Sequence, residues 1–214
     1  MALGNILKIK LPTYLEMNDK KLRRQKDMIT TLVRFSYLNC FEPKANPSGD
    51  LKYSASILIP KEDKAGIKAI QAVINLAVQK GLDTNKFTKA QIKGLRLPLR
   101  DGDEEFDSGN RGAEYQGCFF LNSSSVNKPG VVKVQVDGPP APIFDPEDFF
   151  SGCYGRADIN FFPYNQAGNR GVGVGLNNLL MVKEGERLDG RQKAEDAFAD
   201  FTAESTEETS DELE

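Results

Sequence analysis

Apolar and polar positions alternate with a period of two in several stretches of the chain. That spacing sends one face of a β-strand into a core and the other outward. In residues 30–40, Val33, Phe35 and Tyr37 alternate with Arg34 and Ser36, which predicts a strand. Residues 42–50, with Pro43, Pro47 and Gly49, predict a turn-rich connection. In residues 51–59, Leu51, Tyr53, Ala55, Ile57 and Ile59 share one face; Lys52, Ser54 and Ser56 share the other, and Pro60 closes the strand. Residues 113–122 and 131–136 predict two more strands, and Lys128-Pro129-Gly130 between them predicts a hairpin turn. Residues 153–164 and 171–182 predict a second hairpin around the loop 165–170.

One stretch changes period. Ile67, Ile70, Val73, Ile74, Ala77 and Val78 repeat at helical spacing, Asp63 is placed to cap the N-terminus, and Gly81 stands where a glycine just past the C-terminus belongs. A short helix over 88–93 and a helical turn after Asp145 are also expected. Strands and one main helix in this order do not alternate as βαβ units. They fit a mainly β protein: an OB-fold-like Greek-key barrel with an inserted helix and an extra hairpin.

Charge adds the domain organisation. Residues 1–194 hold 28 basic and 22 acidic side chains, a balance of +6, whereas 195–214 hold nine acidic and no basic ones. A block of like charge interspersed with Ser and Thr cannot bury enough apolar surface to order itself. The reading is a basic arm over 1–29, a barrel domain over 30–194 and a disordered acidic tail over 195–214. Lys8, Lys10 and Glu16 interrupt any signal-peptide stretch, and no apolar run approaches a membrane span. Three dispersed cysteines fit a reducing compartment, so the expected location is the cytoplasm. The chain has no histidine, which removes imidazole-activated nucleophiles and histidine metal sites.

The most informative strand is 153–164. Cys153, Gly155, Ala157, Ile159 and Phe161 form a small, apolar face; Tyr154, Arg156, Asp158, Asn160, Phe162 and Tyr164 form the other. Three rings interleaved with a cation and two hydrogen-bonding groups are what a base-stacking platform requires, since bases stack on exposed rings for ~1–3 kcal/mol each. Arg111, Tyr115, Phe119 and Lys133 form a second basic-aromatic group, Arg34 and Lys52 lie on polar strand faces, and Arg170 flanks a glycine-containing loop. Together they predict an electrostatic groove for a nucleic-acid strand.

Other motifs point elsewhere. Gly171-Val172-Gly173-Val174-Gly175 lacks the spacing and following helix of a nucleotide loop and reads as a strand permitting close approach. Asp101, Asp103 and Glu105 would serve a metal-dependent nuclease, the leading enzymatic alternative, but no nucleophile or general-base constellation accompanies them. A third class is a protein-interaction or virion component that uses the barrel without DNA. No cofactor or metal is expected.

Two blocks carry a family resemblance. One runs Arg34-Phe35-Ser36-Tyr37, Phe41-Glu42-Pro43-Lys44 and Lys52 to Lys61; the other runs Ser151-Gly152-Cys153-Tyr154-Gly155-Arg156, Asn160 to Asn165, Gly168 to Val172 and Gly175 to Asn178. With these the chain resembles the short OB-fold single-stranded-DNA-binding proteins of tailed bacteriophages. The resemblance implies sequence-tolerant binding of single-stranded DNA in phage replication or recombination. It also implies an acidic tail that recruits phage or host partner proteins, within the infected bacterial cell. The tail departs from related ones by ending Leu213-Glu214 rather than in an aromatic or apolar motif. A homo-oligomer is compatible with the resemblance.

Overall fold

In a computed structural model, residues 27–46, 48–188 and 190 are described. The acidic tail and most of the basic arm lie outside them. The part of the arm that is described, Asp27–Ile29, forms a strand, β1, paired with residues 158–160, so the folded body starts earlier than position 30.

The two N-terminal strands pair antiparallel as β2 (Val33–Ala45) and β3 (Leu51–Pro60). Strand β2 runs through the region expected to turn. Pro43 falls inside a register shift between Asn39 and Lys44, where the ladder does not need its missing N–H. The helix follows as α1 (Lys64–Asp83), capped by the Asp63 carboxylate accepting from the Gly66 N–H at 2.9 Å. It buries Ile67, Ile70, Ile74, Ala77 and Val78 beneath the barrel, and each isoleucine removed from water contributes about 2 kcal/mol. Gly81 is inside the helix rather than past its end, and the Phe87 ring occupies the space a β-carbon there would need.

Next come β4 (Arg100–Asp101), the short helix α2 (Gly102–Asp107), β5 (Cys118–Ser125), β6 (Gly130–Lys133) and β7 (Ala141–Pro142). Residues 113–115 are a 3-10 turn, so β5 begins later than the alternation suggested. The hairpin expected around Lys128-Pro129-Gly130 is not formed. Strands β5 and β6 run in the same direction, both parallel to β9 (Asn169–Lys183), with Ser124 opposite Gly175 and Gly130–Lys133 opposite Asn178–Met181. The chain therefore continues along one edge of β9 through that segment, and the reversal comes later, between β6 and β7.

The second predicted hairpin is present. Strand β8 (Tyr154–Gln166) pairs with β9 along its whole length through a two-residue turn, Ala167 at φ 47 and Gly168 at φ 85. Positive φ at both positions is the turn geometry that matches strand twist. Strand β3 pairs with β5 along its length, and Val33 and Arg34 of β2 face Gly155 and Tyr154 of β8. The circuit β2–β3–β5–β9–β8–β2 is thus closed, the five-strand order of an OB-fold barrel. Phe35, Ile57, Ile59, Leu121, Ile159, Phe161 and Leu179 fill its interior.

Candidate nucleic-acid interface

Because Val33, Phe35, Ile57 and Leu121 point inward, their neighbours Arg34, Ser56, Leu58, Phe120 and Asn122 point outward. The ladder registers place one row straight across the strands: Lys183 opposite Tyr154, Tyr154 opposite Arg34, Arg34 opposite Leu58, Leu58 opposite Phe120, and Phe120 opposite Arg100. Cations and rings interleave along it. The Tyr154 ring lies between Arg34 and Lys183, with the charges 5.6 and 4.8 Å from its centroid, and Arg100 lies 4.6 Å above Phe120. Arg34 is held in place by donating to the carbonyls of Gly152 at 3.2 Å and Glu186 at 3.0 Å.

The middle of this row is roofed. Tyr115, arriving from the 3-10 turn, stands edge-on to Phe120 and donates its hydroxyl to Ser56 Oγ at 2.8 Å. It is 0% exposed, and burial raises its phenol pKa. Arg111 lies over three rings, 5.1 Å from Tyr37, 5.2 Å from Tyr115 and 5.6 Å from Phe120. Among the described residues it makes no ion pair with a carboxylate, so its charge is available.

Beside that roof is a recess of about 300 Å³ between Tyr37 and Arg111, floored by Asn39, Ser54, Asn122 and Ser124. Tyr37 occupies a register shift of β2 with φ 46 and is 55% exposed. Alternation alone assigns it to the buried face; the bulge turns it out. No local signal marks that bulge in the sequence, although Asn39, which donates to the Tyr37 carbonyl and to Ser54 Oγ at 3.1 Å each, holds it.

The outer face of β8 continues from Tyr154. Arg156 is exposed and donates to the Thr30 carbonyl at 3.0 Å; Asp158 accepts from Asn178 at 2.7 Å. Phe162, 43% exposed, lies across Gly173, and the Asn160 carboxamide lies over Gly175. A β-carbon at either glycine would collide with those groups, which accounts for the glycine-rich strand as close packing. Tyr164 comes next, half-buried, on the same face by alternation.

The structure therefore brings Arg34, Arg111, Tyr154, Arg156, Phe162 and Tyr164 to the outer surface, and Lys52 joins them by the alternation of β3, 3.7 Å from Asp50. Four expected members are placed differently. Tyr115 is fully buried beneath Arg111. Phe119 shares the inward parity of Leu121, packs on the core and lies under Lys61 at 5.1 Å. Lys133 shares the face of Val131 and sits 3.5 Å from Asp148. Arg170 shares the face of Val172, opposite Asn165 on the side towards α1, where Asn165 donates to the Lys86 carbonyl.

The acids considered for nuclease chemistry have structural partners. Asp101 caps α2 and, with Asp103, receives Lys61 Nζ at 2.6 and 2.7 Å, while Glu105 pairs with Arg100 at 3.0 Å. The Lys61 hydrogen bond, seconded by the Gly117 N–H, lowers the Asp103 pKa. Among the described residues no group of three potential ligands is spaced to hold a metal ion, and no helix is long and apolar enough to cross a membrane. Burial pushes the Cys40 thiol up to about 12.

A closed five-strand barrel with cations and rings interleaved across its outer face is an OB-fold of the oligonucleotide-carrying kind. The chain belongs to the family described as Enterobacter phage Enc34, ssDNA-binding protein, whose profile matches residues 26–212. It is 29% identical over 164 residues to putative protein p50 of Acyrthosiphon pisum secondary endosymbiont phage 1, covering 74% of this chain and 84% of that one. Its fold is similar to the single-stranded DNA-binding protein from bacteriophage Enc34 solved in complex with ssDNA: TM-score 0.62, 22% identity, 77% of this chain and 90% of that chain. It is also similar to gp2.5, a single-stranded DNA-binding protein encoded by bacteriophage T7: TM-score 0.50, 14% identity, 78% and 98% of the two chains.

Proposed function

We propose that this chain coats single-stranded DNA without sequence preference in the cytoplasm of a phage-infected bacterium, without catalysing a reaction, during replication or recombination. The observation that carries this reading is the row from Lys183 through Tyr154 to Arg34, continued by the outer face of β8. Rings there serve any base, and Arg34, Lys52, Arg111 and Arg156 serve phosphates, so recognition needs no base-specific contact. Family membership supports the same ligand. Fluorescence anisotropy with a labelled dT oligonucleotide tests it: saturable binding that is unchanged by magnesium and leaves the oligonucleotide intact is expected. Absence of binding, or magnesium-dependent cleavage, would overturn it.

The nine carboxylates of 195–214 are proposed to compete with DNA for the basic body and, once displaced, to recruit replication and recombination proteins. Tethered opposite charges interact within a Debye length of about 8 Å at physiological salt, so removing 195–214 should tighten DNA binding at low salt and change it little at high salt. Equal affinities at low salt would remove the competition.

A further inference from the structure

We propose that the recess beside Tyr37 takes one unstacked base of the bound strand, stacked on the Tyr37 ring, with Arg111 on the adjoining phosphate. This deepens the single-strand-binding reading and rests on it. A tyrosine at φ 46 is a strained residue, since ring-bearing side chains avoid the left-handed region. Core packing is a small part of the explanation, because the ring meets the buried Tyr115 ring only at a tilted 6.5 Å between centroids and stays 55% exposed where the bulge delivers it to the surface. Asn39 ties the bulge to β3 through Ser54, so the ring is held in its outward position before any ligand arrives. Strain of this kind persists where a surface is organised for contact.

The dimensions and chemistry agree. About 300 Å³ is at the small end of ligand pockets, of the order of one nucleotide and too small for a base pair with its backbones. The floor presents hydroxyls from Ser54 and Ser124 and a carboxamide from Asn122. Hydroxyls rotate to donate or accept and a carboxamide does both, so every base edge finds a partner and none is preferred. Arg111 shares the wall with Tyr37, and its charge faces no carboxylate among the described residues. Moving from ring to phosphate would exchange a cation–ring contact for a charge-assisted one.

The chain has no tryptophan, so Tyr37→Trp places a single reporter in the recess. Titration with dT oligonucleotide should quench its fluorescence with the midpoint found by anisotropy. Tyr37→Gly suits the backbone conformation and removes the ring; its thermal midpoint should not fall, while affinity drops roughly 5- to 150-fold. Unchanged tryptophan fluorescence while anisotropy reports binding would overturn the base pocket and leave strand coating intact. So would a Tyr37→Gly protein that binds like the parent. Loss of binding by the parent protein in both readouts would remove the coating function and the pocket together.

Discussion

The barrel face of β2, β3 and β5 and the ribbon of β8 and β9 both display aromatic residues outward, yet they treat them in opposite ways. On the barrel face, Phe120 and Tyr115 are sealed, one stacked edge-on to the other with Arg111 above them. On the ribbon, Phe162 lies on a glycine, has nothing comparable above it among the described residues and keeps 43% of its surface exposed. The difference arises from the connections between strands. The segment 102–117 folds back over the barrel face and forms a second layer there, whereas the ribbon turns in two residues. A ring at an outward strand position is thus structural or available according to whether the chain returns to cover it.

Substitutions on each side test that contrast. The largest effect is expected on the sealed side: Tyr115→Ala should cost about 3–5 kcal/mol of stability by emptying a buried ring site and stranding Ser56, read as a lowered midpoint in denaturant. Tyr115→Phe should cost only about 1 kcal/mol. A Tyr115→Ala protein as stable as its parent would show that the roof does not contribute to the fold. On the open side, Phe162→Ala should weaken oligonucleotide binding by about 1–3 kcal/mol while barely moving the thermal midpoint. The reverse pattern would make the ribbon ring structural as well.

A smaller effect concerns charge. Arg111→Ala and Arg156→Ala should each flatten the log–log salt dependence of binding by about 0.7, whereas Arg170→Ala and Lys133→Ala should leave it unchanged, being on other faces. The smallest lies at the foot of the roof. The lowered Asp103 pKa gives stability that is fully present above its ordinary value of 3.8 and lost as pH falls through the folded-state value. Acid titration of unfolding should therefore lose a little of its slope below about pH 4 in Asp103→Asn.

The range of the contacts decides how much of this is legible in the chain. Strands β3, β8 and β9 and helix α1 declare themselves by period, and the two faces of β8 separate correctly because alternation is local. Phe119 and Phe120 are adjacent, and a strand starting at residue 113 leaves open which of them faces the core. Pairing with Ile59 and Leu58 decides it. The false hairpin at Lys128-Pro129-Gly130 comes from treating a turn signal as a reversal, when β9 is long enough to take β5 and β6 in succession on one edge. The bulge at Tyr37 is invisible because alternation continues through it in the letters but not in the backbone.

Two of the five joints in the barrel are short. Strand β2 meets β8 over two paired residues, helped by the Phe35 and Gly152 backbone bonds of 3.0 and 2.7 Å, and β5 meets β9 at a single pair. By backbone pairing the barrel divides into two plates, the meander β2–β3–β5 and the ribbon β8–β9, joined along two thin welds. Amide protons at those welds should exchange before those within either plate. The row from Lys183 through Tyr154 to Arg34 crosses the first weld. A polymer laid along that row would grip both plates at once, as a hoop on the barrel, and amide exchange at the first weld should then slow on binding.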